Sequence, residues 1–185
     1  MIYLDTNILV SLHINDGLTA PAVSWIAEQT LALALSEWVR TEFHAVIGLR
    51  KRKDELSAAM AHKAINSFTT RVDDYHHLLP VSNEAATLAA DWLRNPDCTL
   101  QTGDALHLAI AQRGGASVLA TFDARFAKAA QKLRLPNLKI VLIGEKVRRV
   151  EQKRAAYSVS AMATSVAKAK TRRATARKKR AAAAG

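Results

Sequence analysis

Four acidic side chains of this chain sit where a carboxylate is costly unless it has a partner. Asp5 ends the apolar run Ile2-Tyr3-Leu4, Glu42 follows Trp38 by one helical turn and precedes Phe43, Asp104 opens a strongly apolar stretch, and Asp123 follows Leu119-Ala120-Thr121-Phe122. An aspartate at the end of a buried strand needs hydrogen-bond partners or a cation. Glu42 shares a helix side with an indole that packs inward. Carboxylates brought together repel, and a hard divalent cation is the usual means of holding them near neutral pH. With oxygen donors, no thiolate set and no convincing histidine set, Mg²⁺ or Mn²⁺ fits better than structural zinc. Such an ion activates water and offsets charge developing on a phosphate, so the set reads as that of a metal-dependent phosphodiesterase. Four carboxylates suit one ion or two equally, and no histidine stands out as a general base for a metal-free route.

Each of these residues also has an ordinary structural reading. Asp5 can cap the next turn through Asn7, Glu42 can lie half-exposed on an amphipathic helix, and Asp104 and Asp123 can stabilise helix starts. Thr6 and Thr121 read as hydroxyls that support the ligating carboxylates or bond loop backbone, not as nucleophiles. His107 lies one turn after Asp104 and within reach of it, but a histidine in an apolar helix reads first as a packed residue. His76, His77 and Cys98 lack ligand spacing, and Trp25, Trp38 and Trp92 read as packing groups. Arg50-Lys51-Arg52-Lys53 reads as a solvated helix end, with contact to a nucleic-acid backbone as its second reading.

Bringing distant acids together requires a scaffold with a shared edge. Short apolar runs predict strands at the amino terminus and near residues 31–35, 77–81, 117–121 and 138–143. Between them lie helical stretches: residues 8–12, a helix with Pro21 in its first turn running to about residue 29, and one capped by Ser36 and ended or interrupted at Gly48 and the basic cluster. Others follow at 54–70, with Leu56, Met60, Ala64 and Phe68 on one face, at 83–93 behind Ser82 or Asn83, at 105–113 up to Gly114-Gly115, and at 124–132. Strands alternating with helices call for an α/β domain, a parallel sheet with helices on both faces. Right-handed crossovers carry the strand ends to one edge, and ligands bind outside the carboxyl ends of such strands.

The charge divides the chain. Residues 1–143 hold 14 basic and 14 acidic residues, whereas residues 144–185 hold 13 basic and 2 acidic ones and so carry the whole formal charge of +11. Residues 1–143 are therefore expected to be the globular domain and 144–185 a basic extension. In that extension residues 147–169 are rich enough in Ala, Val and Met for helix, while 170–185 lack large apolar residues and are expected to be disordered when free. Arg172, Arg173, Lys178, Lys179 and Arg180 are candidates for polyanion contact, which raises affinity without choosing a sequence. One cysteine and the absence of any long apolar run point to a soluble cytoplasmic protein with no membrane span.

Four blocks together resemble a known family: Tyr3-Leu4-Asp5-Thr6-Asn7, Ser36-Glu37-Trp38-Val39-Arg40-Thr41-Glu42-Phe43, Thr102-Gly103-Asp104-Ala105-Leu106-His107-Leu108-Ala109 and Leu119-Ala120-Thr121-Phe122-Asp123-Ala124-Arg125-Phe126. In this order, and over residues 1 to about 143, they look like those of PIN-domain ribonucleases, most of all the VapC toxins of bacterial toxin-antitoxin pairs. The resemblance implies a three-layer PIN-like fold with a five-stranded sheet in order 3-2-1-4-5. It also implies an endoribonuclease dependent on Mg²⁺ or Mn²⁺, with Asp5, Glu42, Asp104 and Asp123 as its acidic residues and Thr121 beside them. A homodimer, a VapB-type antitoxin covering the site and operator DNA bound through that antitoxin complete what it implies. The basic extension departs from compact members, which end near the fifth strand. Two rivals stand beside this reading: a non-catalytic nucleic-acid-binding protein acting through its tail, and an α/β metal phosphohydrolase acting on another phosphoester.

Overall fold

The computed structural model describes residues 1–72 and 77–144. In chain order these form β1 (Ile2–Leu4), α1 (Thr6–His13), α2 (Thr19–Ala27), β2 (Leu33–Ser36), α3 (Glu37–Arg52) and α4 (Ala58–Arg71). There follow β3 (His77–Leu79), α5 (Asn83–Leu93), α6 (Thr102–Arg113), β4 (Val118–Thr121), α7 (Ala124–Lys132) and β5 (Lys139–Leu142). The five strands make one sheet in the order β3-β2-β1-β4-β5 with every pairing parallel, as the family resemblance implied. Ile2, Tyr3 and Leu4 are wholly apolar because β1 is the central strand, flanked on both edges and covered on both faces. The register sets Tyr3 beside Ala34 and Leu119, so the carboxyl ends of β1, β2 and β4 finish together.

Caps fix where the helices begin. Ser36, the last residue of β2, accepts from Val39 N and starts α3 with no intervening loop, Ser57 accepts from Met60 N for α4, and Ser82, not Asn83, caps α5. α3 runs unbroken through Gly48 to Arg52, so the basic cluster is its last turn, where cations suit the helix dipole. The Phe43 and Phe68 rings stack with centroids 4.1 Å apart and tie α3 to α4. Of the face predicted for the second of these helices, Ala64 and Phe68 are buried and Leu56 lies buried ahead of it, whereas Met60 points outward at 49% exposure and Ala61 takes its place. The four-residue spacing drifts around the helix by about a tenth of a turn per step, which is why its members do not share one environment.

The three tryptophans pack at the core boundary, as expected. No described helix is long and apolar enough to cross a membrane. His76, residues 147–169, and Arg172, Arg173, Lys178, Lys179 and Arg180 lie outside the described residues.

Candidate active site

Asp5 immediately follows β1 and precedes α1, yet its carboxylate does not cap that helix. Instead Oδ2 accepts from Thr121 Oγ1 at 2.6 Å and from Asn7 Nδ2 at 2.7 Å, while Oδ1 faces His107 Nε2 at 3.5 Å. The capping reading of Asp5 is thereby set aside. Thr121 ends β4 and is a junction: besides donating to Asp5 it accepts from Asn7 Nδ2 at 3.0 Å and from the Asp123 backbone N–H at 2.8 Å. Asn7 Oδ1 in turn accepts from Phe122 N. Every polar atom of this fully buried threonine hydroxyl is used, as burial demands.

Glu42 reaches the same place from the second turn of α3. Its Oε2 accepts from Thr6 Oγ1 and from His107 Nε2, both at 2.7 Å, and its Oε1 is left toward Gly103. Gly103 keeps that space open, since a Cβ there would stand 2.9 Å from Oε1. Trp38 Nε1 is buried beside Glu42 but outside hydrogen-bonding geometry, and its dipole still favours the ionised carboxylate. Asp104 lies in the first turn of α6. Asp123 caps α7 through Oδ1, which accepts from Arg125 N at 2.7 Å and Phe126 N at 3.1 Å. The ordinary reading of Asp123 therefore holds for one of its two oxygens.

The four carboxylates, carried by four separate segments, line one cleft of about 510 Å³ together with Thr6, Asn7 and His107. Val10, Leu18, Val46 and Leu49 form an apolar wall, and Arg50 and Arg52 stand at the basic end. Arg50 also reaches Asp16 at 3.6 Å across the turn after α1. Lys51 and Lys53, the other members of that cluster, do not line the cleft.

The electrostatics are those of crowded acids. Burial, the charge of Asp5 and the charge of Asp123, in that order, push Asp104 up to about 6. Burial also raises Asp5, against the opposing effects of His107 and the Thr121 hydrogen bond. For Glu42 the largest single effect, burial, is outweighed by the hydrogen bond and charge of His107, and the carboxyl is held below its ordinary value. His107 is raised correspondingly: burial opposes its charge, but the Glu42 hydrogen bond and the nearby carboxylates prevail.

An all-oxygen donor set whose members raise one another's proton affinity fits a hard divalent cation. On Asp5 and Glu42, Oδ1 and Oε1 are the oxygens not taken by protein donors at close range, and on Asp123 it is Oδ2. Among the described residues no three His, Cys, Asp or Glu side chains already converge on one point. An ion shared by these acids would be reached by side-chain rotation or through bridging water.

His107 is what the sequence understated. It is buried in α6, as a packed histidine would be, but both ring nitrogens are engaged, Nδ1 with Tyr3 Oη at 2.8 Å and Nε2 with Glu42. Its hydrogen-bond partners are Glu42, Thr6 and Tyr3, not the Asp104 one turn before it. Nothing in the local sequence signals this, because the partners lie 65 and 104 residues away.

Residues 2–132 match the family model described as the PIN domain. The chain belongs to the PIN domain family. Solved PIN-like structures share the fold at low identity. Mycobacterium tuberculosis VapC20, described as a Sarcin-Ricin loop cleaving toxin, is 20% identical with a TM-score of 0.56, covering 70% of this chain and 95% of that one. FitAcB from Neisseria gonorrhoeae is 19% identical with a TM-score of 0.54, covering 76% and 96%. VapBC2 from Rickettsia felis, bound to a DNA fragment from its promoter, is 21% identical with a TM-score of 0.51, covering 77% and 99%. The sequence has no match among curated proteins. The PIN domain spans the acidic cleft entire, from Asp5 to Asp123, and ends before the basic extension.

Proposed function

We propose that this PIN domain is a divalent-metal-dependent endoribonuclease and the toxin of a VapBC-type toxin-antitoxin pair. The observation that carries the reading is the cleft itself, where four carboxylates from distant segments crowd closely enough for Asp5 and Asp123 to raise Asp104. Asp5, Glu42 and Asp104 would hold Mg²⁺ or Mn²⁺, directly or through water, and Asp123 a second ion or the attacking water. When bound, such an ion acidifies water and offsets the charge on a phosphate. The chain's own groups do the rest. Thr121 and Asn7 fix one oxygen of Asp5, and Thr6 fixes one oxygen of Glu42, so these two acids present their other oxygen already oriented. Arg50 and Arg52 offer charge to a neighbouring phosphate of the RNA. In-line hydrolysis of this kind leaves a 5′-phosphate and a 3′-hydroxyl.

We take RNA over other phosphoesters as the substrate; the resemblance of the four sequence blocks to PIN-domain ribonucleases supports it, as does the likeness to VapC20, described as a Sarcin-Ricin loop cleaving toxin. The likeness to VapBC2, solved on a DNA fragment from its promoter, supports a VapB-type antitoxin and operator DNA as partners; binding of that DNA through the antitoxin and a homodimeric toxin belong to the same proposal. Residues 1–143 would be the nuclease domain and 144–185 a basic arm that adds sequence-independent affinity for RNA through residues such as Arg172, Arg173 and Lys178.

Asp5→Asn keeps the shape and removes the charge. Wild-type protein is expected to cleave structured RNA with Mg²⁺ or Mn²⁺ and to stop in EDTA, and the variant to be inactive throughout. Equal, metal-independent cleavage by both proteins would sink the reading. Truncation after residue 143 is expected to retain metal-dependent cleavage, whereas a tail-driven binder would lose its only activity.

A further inference from the structure

Histidine at a nearly closed core position is retained only if both nitrogens are satisfied, because an unpaired buried polar group is costly. His107 is 2% exposed, and its hydrogen bonds form a chain across four elements. Ser36 Oγ, at the end of β2, meets Tyr3 Oη of β1 at 2.7 Å, and Tyr3 Oη meets His107 Nδ1 of α6 at 2.8 Å. His107 Nε2 then meets Glu42 Oε2 of α3 at 2.7 Å and lies 3.5 Å from Asp5 Oδ1. Tyr3 and Ser36 have no exposure, and Ser36 simultaneously caps α3, the helix that carries Glu42. The ring is thus fixed from the sheet interior and aimed outward at two acids.

The consequence lies in which oxygens remain. With Thr6 and His107 on Glu42 Oε2, the carboxylate can present only Oε1 to the cleft. With Thr121 and Asn7 on Asp5 Oδ2, that residue presents only Oδ1. One imidazole N–H stands between these two acids, one carried by α3 and the other by the end of β1, and it orients the first while easing its repulsion with the second.

We propose that His107 is a positioning residue: held at Nδ1 by Tyr3, it fixes Glu42 through Oε2 and so leaves Oε1 for an ion, beside an Asp5 that Thr121 and Asn7 hold. This role rests on the metal-dependent nuclease reading of the same cleft. It differs from catalysis by His107 itself, whose ring is almost wholly buried at the cleft wall and has both nitrogens already engaged by Tyr3 and Glu42. Hydrogen-bonding partners of ligating carboxylates typically tune metal affinity by about 10- to 100-fold.

The test uses the full chain with Mn²⁺ alone as calorimetric titrant, followed by RNA cleavage at fixed Mg²⁺, for wild type, His107→Leu, His107→Gln and Tyr3→Phe. His107→Leu is expected to weaken Mn²⁺ binding about 10- to 100-fold and to lower kcat comparably, leaving KM for RNA unchanged. His107→Gln, whose amide replaces the Nε2–H donor, should recover most of both. Tyr3→Phe keeps the core volume and frees Nδ1, so it should show a loss of about two- to tenfold in Mn²⁺ affinity and decides the matter if His107→Leu does not fold. Wild-type Mn²⁺ affinity and kcat in folded His107→Leu, or in Tyr3→Phe, would overturn the positioning role and leave the nuclease reading standing. Absence of Mn²⁺ binding and of cleavage in the wild type itself would overturn both.

Discussion

Replacing Asp104 with asparagine should make the metal-free protein more stable while abolishing its activity. The folded protein holds the Asp104 carboxyl at about 6 against 3.8 for the unperturbed group, through burial and the charges of Asp5 and Asp123. Such a shift amounts to about 3 kcal/mol at about 1.4 kcal/mol per pH unit. Asp104 is only half-buried, so solvent screening reduces this to about 1–2 kcal/mol. The sign follows from linkage. The folded state binds this proton more tightly than the unfolded chain, so ionisation penalises folding, with the cost absent well below pH 3.8 and complete above about 6. Asparagine never ionises and escapes the cost. Thermal unfolding in EDTA at about pH 7.5 should therefore show Asp104→Asn melting higher by about 2–8 °C, with the gap mostly closed at about pH 3.5. Adding Mg²⁺ should raise the melting temperature of the wild type and leave the variant nearly unmoved. A variant less stable than wild type at the higher pH, or a gap independent of pH, would refute the idea that Asp104 is strained by neighbouring charge.

Other expectations follow from single contacts. Thr121→Val keeps the volume but strips Asp5, Asn7 and the Asp123 N–H of a shared partner; urea unfolding should show a loss of about 1–3 kcal/mol, and cleavage should fall with it. Gly103→Ala would force Glu42 Oε1 aside from a 2.9 Å contact against the hold of Thr6 and His107 on Oε2, so kcat should drop about tenfold and the melting temperature should fall with it. His13 is lowered by burial and by Arg71, and it packs edge-on against Phe43 and Phe68. Its neutral form is the folded one, so the stability it contributes is present above about pH 6.5 and is lost as pH falls through its lower folded value. His13→Phe should flatten that part of a melting-temperature profile.

The acidic residues could be read from the sequence because a charge beside apolar residues is conspicuous: Asp5 and Asp123 follow apolar runs, Asp104 opens one, and Glu42 shares a helix side with Trp38. The alternation of runs gave the α/β class, and the serine caps located helix starts closely. Strand order had a different origin: parallel pairing carries no local signal, and 3-2-1-4-5 came only from the likeness of four blocks to a family. Met60 was misjudged because a four-residue repeat does not stay on one helix face, and Gly48 because a lone glycine costs a helix too little to stop it. His107 was weighed as packing because its surroundings in the chain are apolar, and only the fold reveals that Tyr3 and Glu42 meet it. The oxygen-by-oxygen division of labour on Asp5 and Glu42 is likewise a property of tertiary structure.

Glu42 and Phe43 are adjacent in sequence, yet one faces the acidic cleft and the other stacks on Phe68 inside the core. A rotation of α3 that moved the carboxylate would drag the ring, so the two cannot be adjusted separately. A mutational scan scored by the nuclease activity proposed above should therefore mark Phe43 and Phe68 as strongly as the cleft itself. Inactive variants would accumulate at positions inside the core, and their distribution would map the aromatic stack as faithfully as the chemistry.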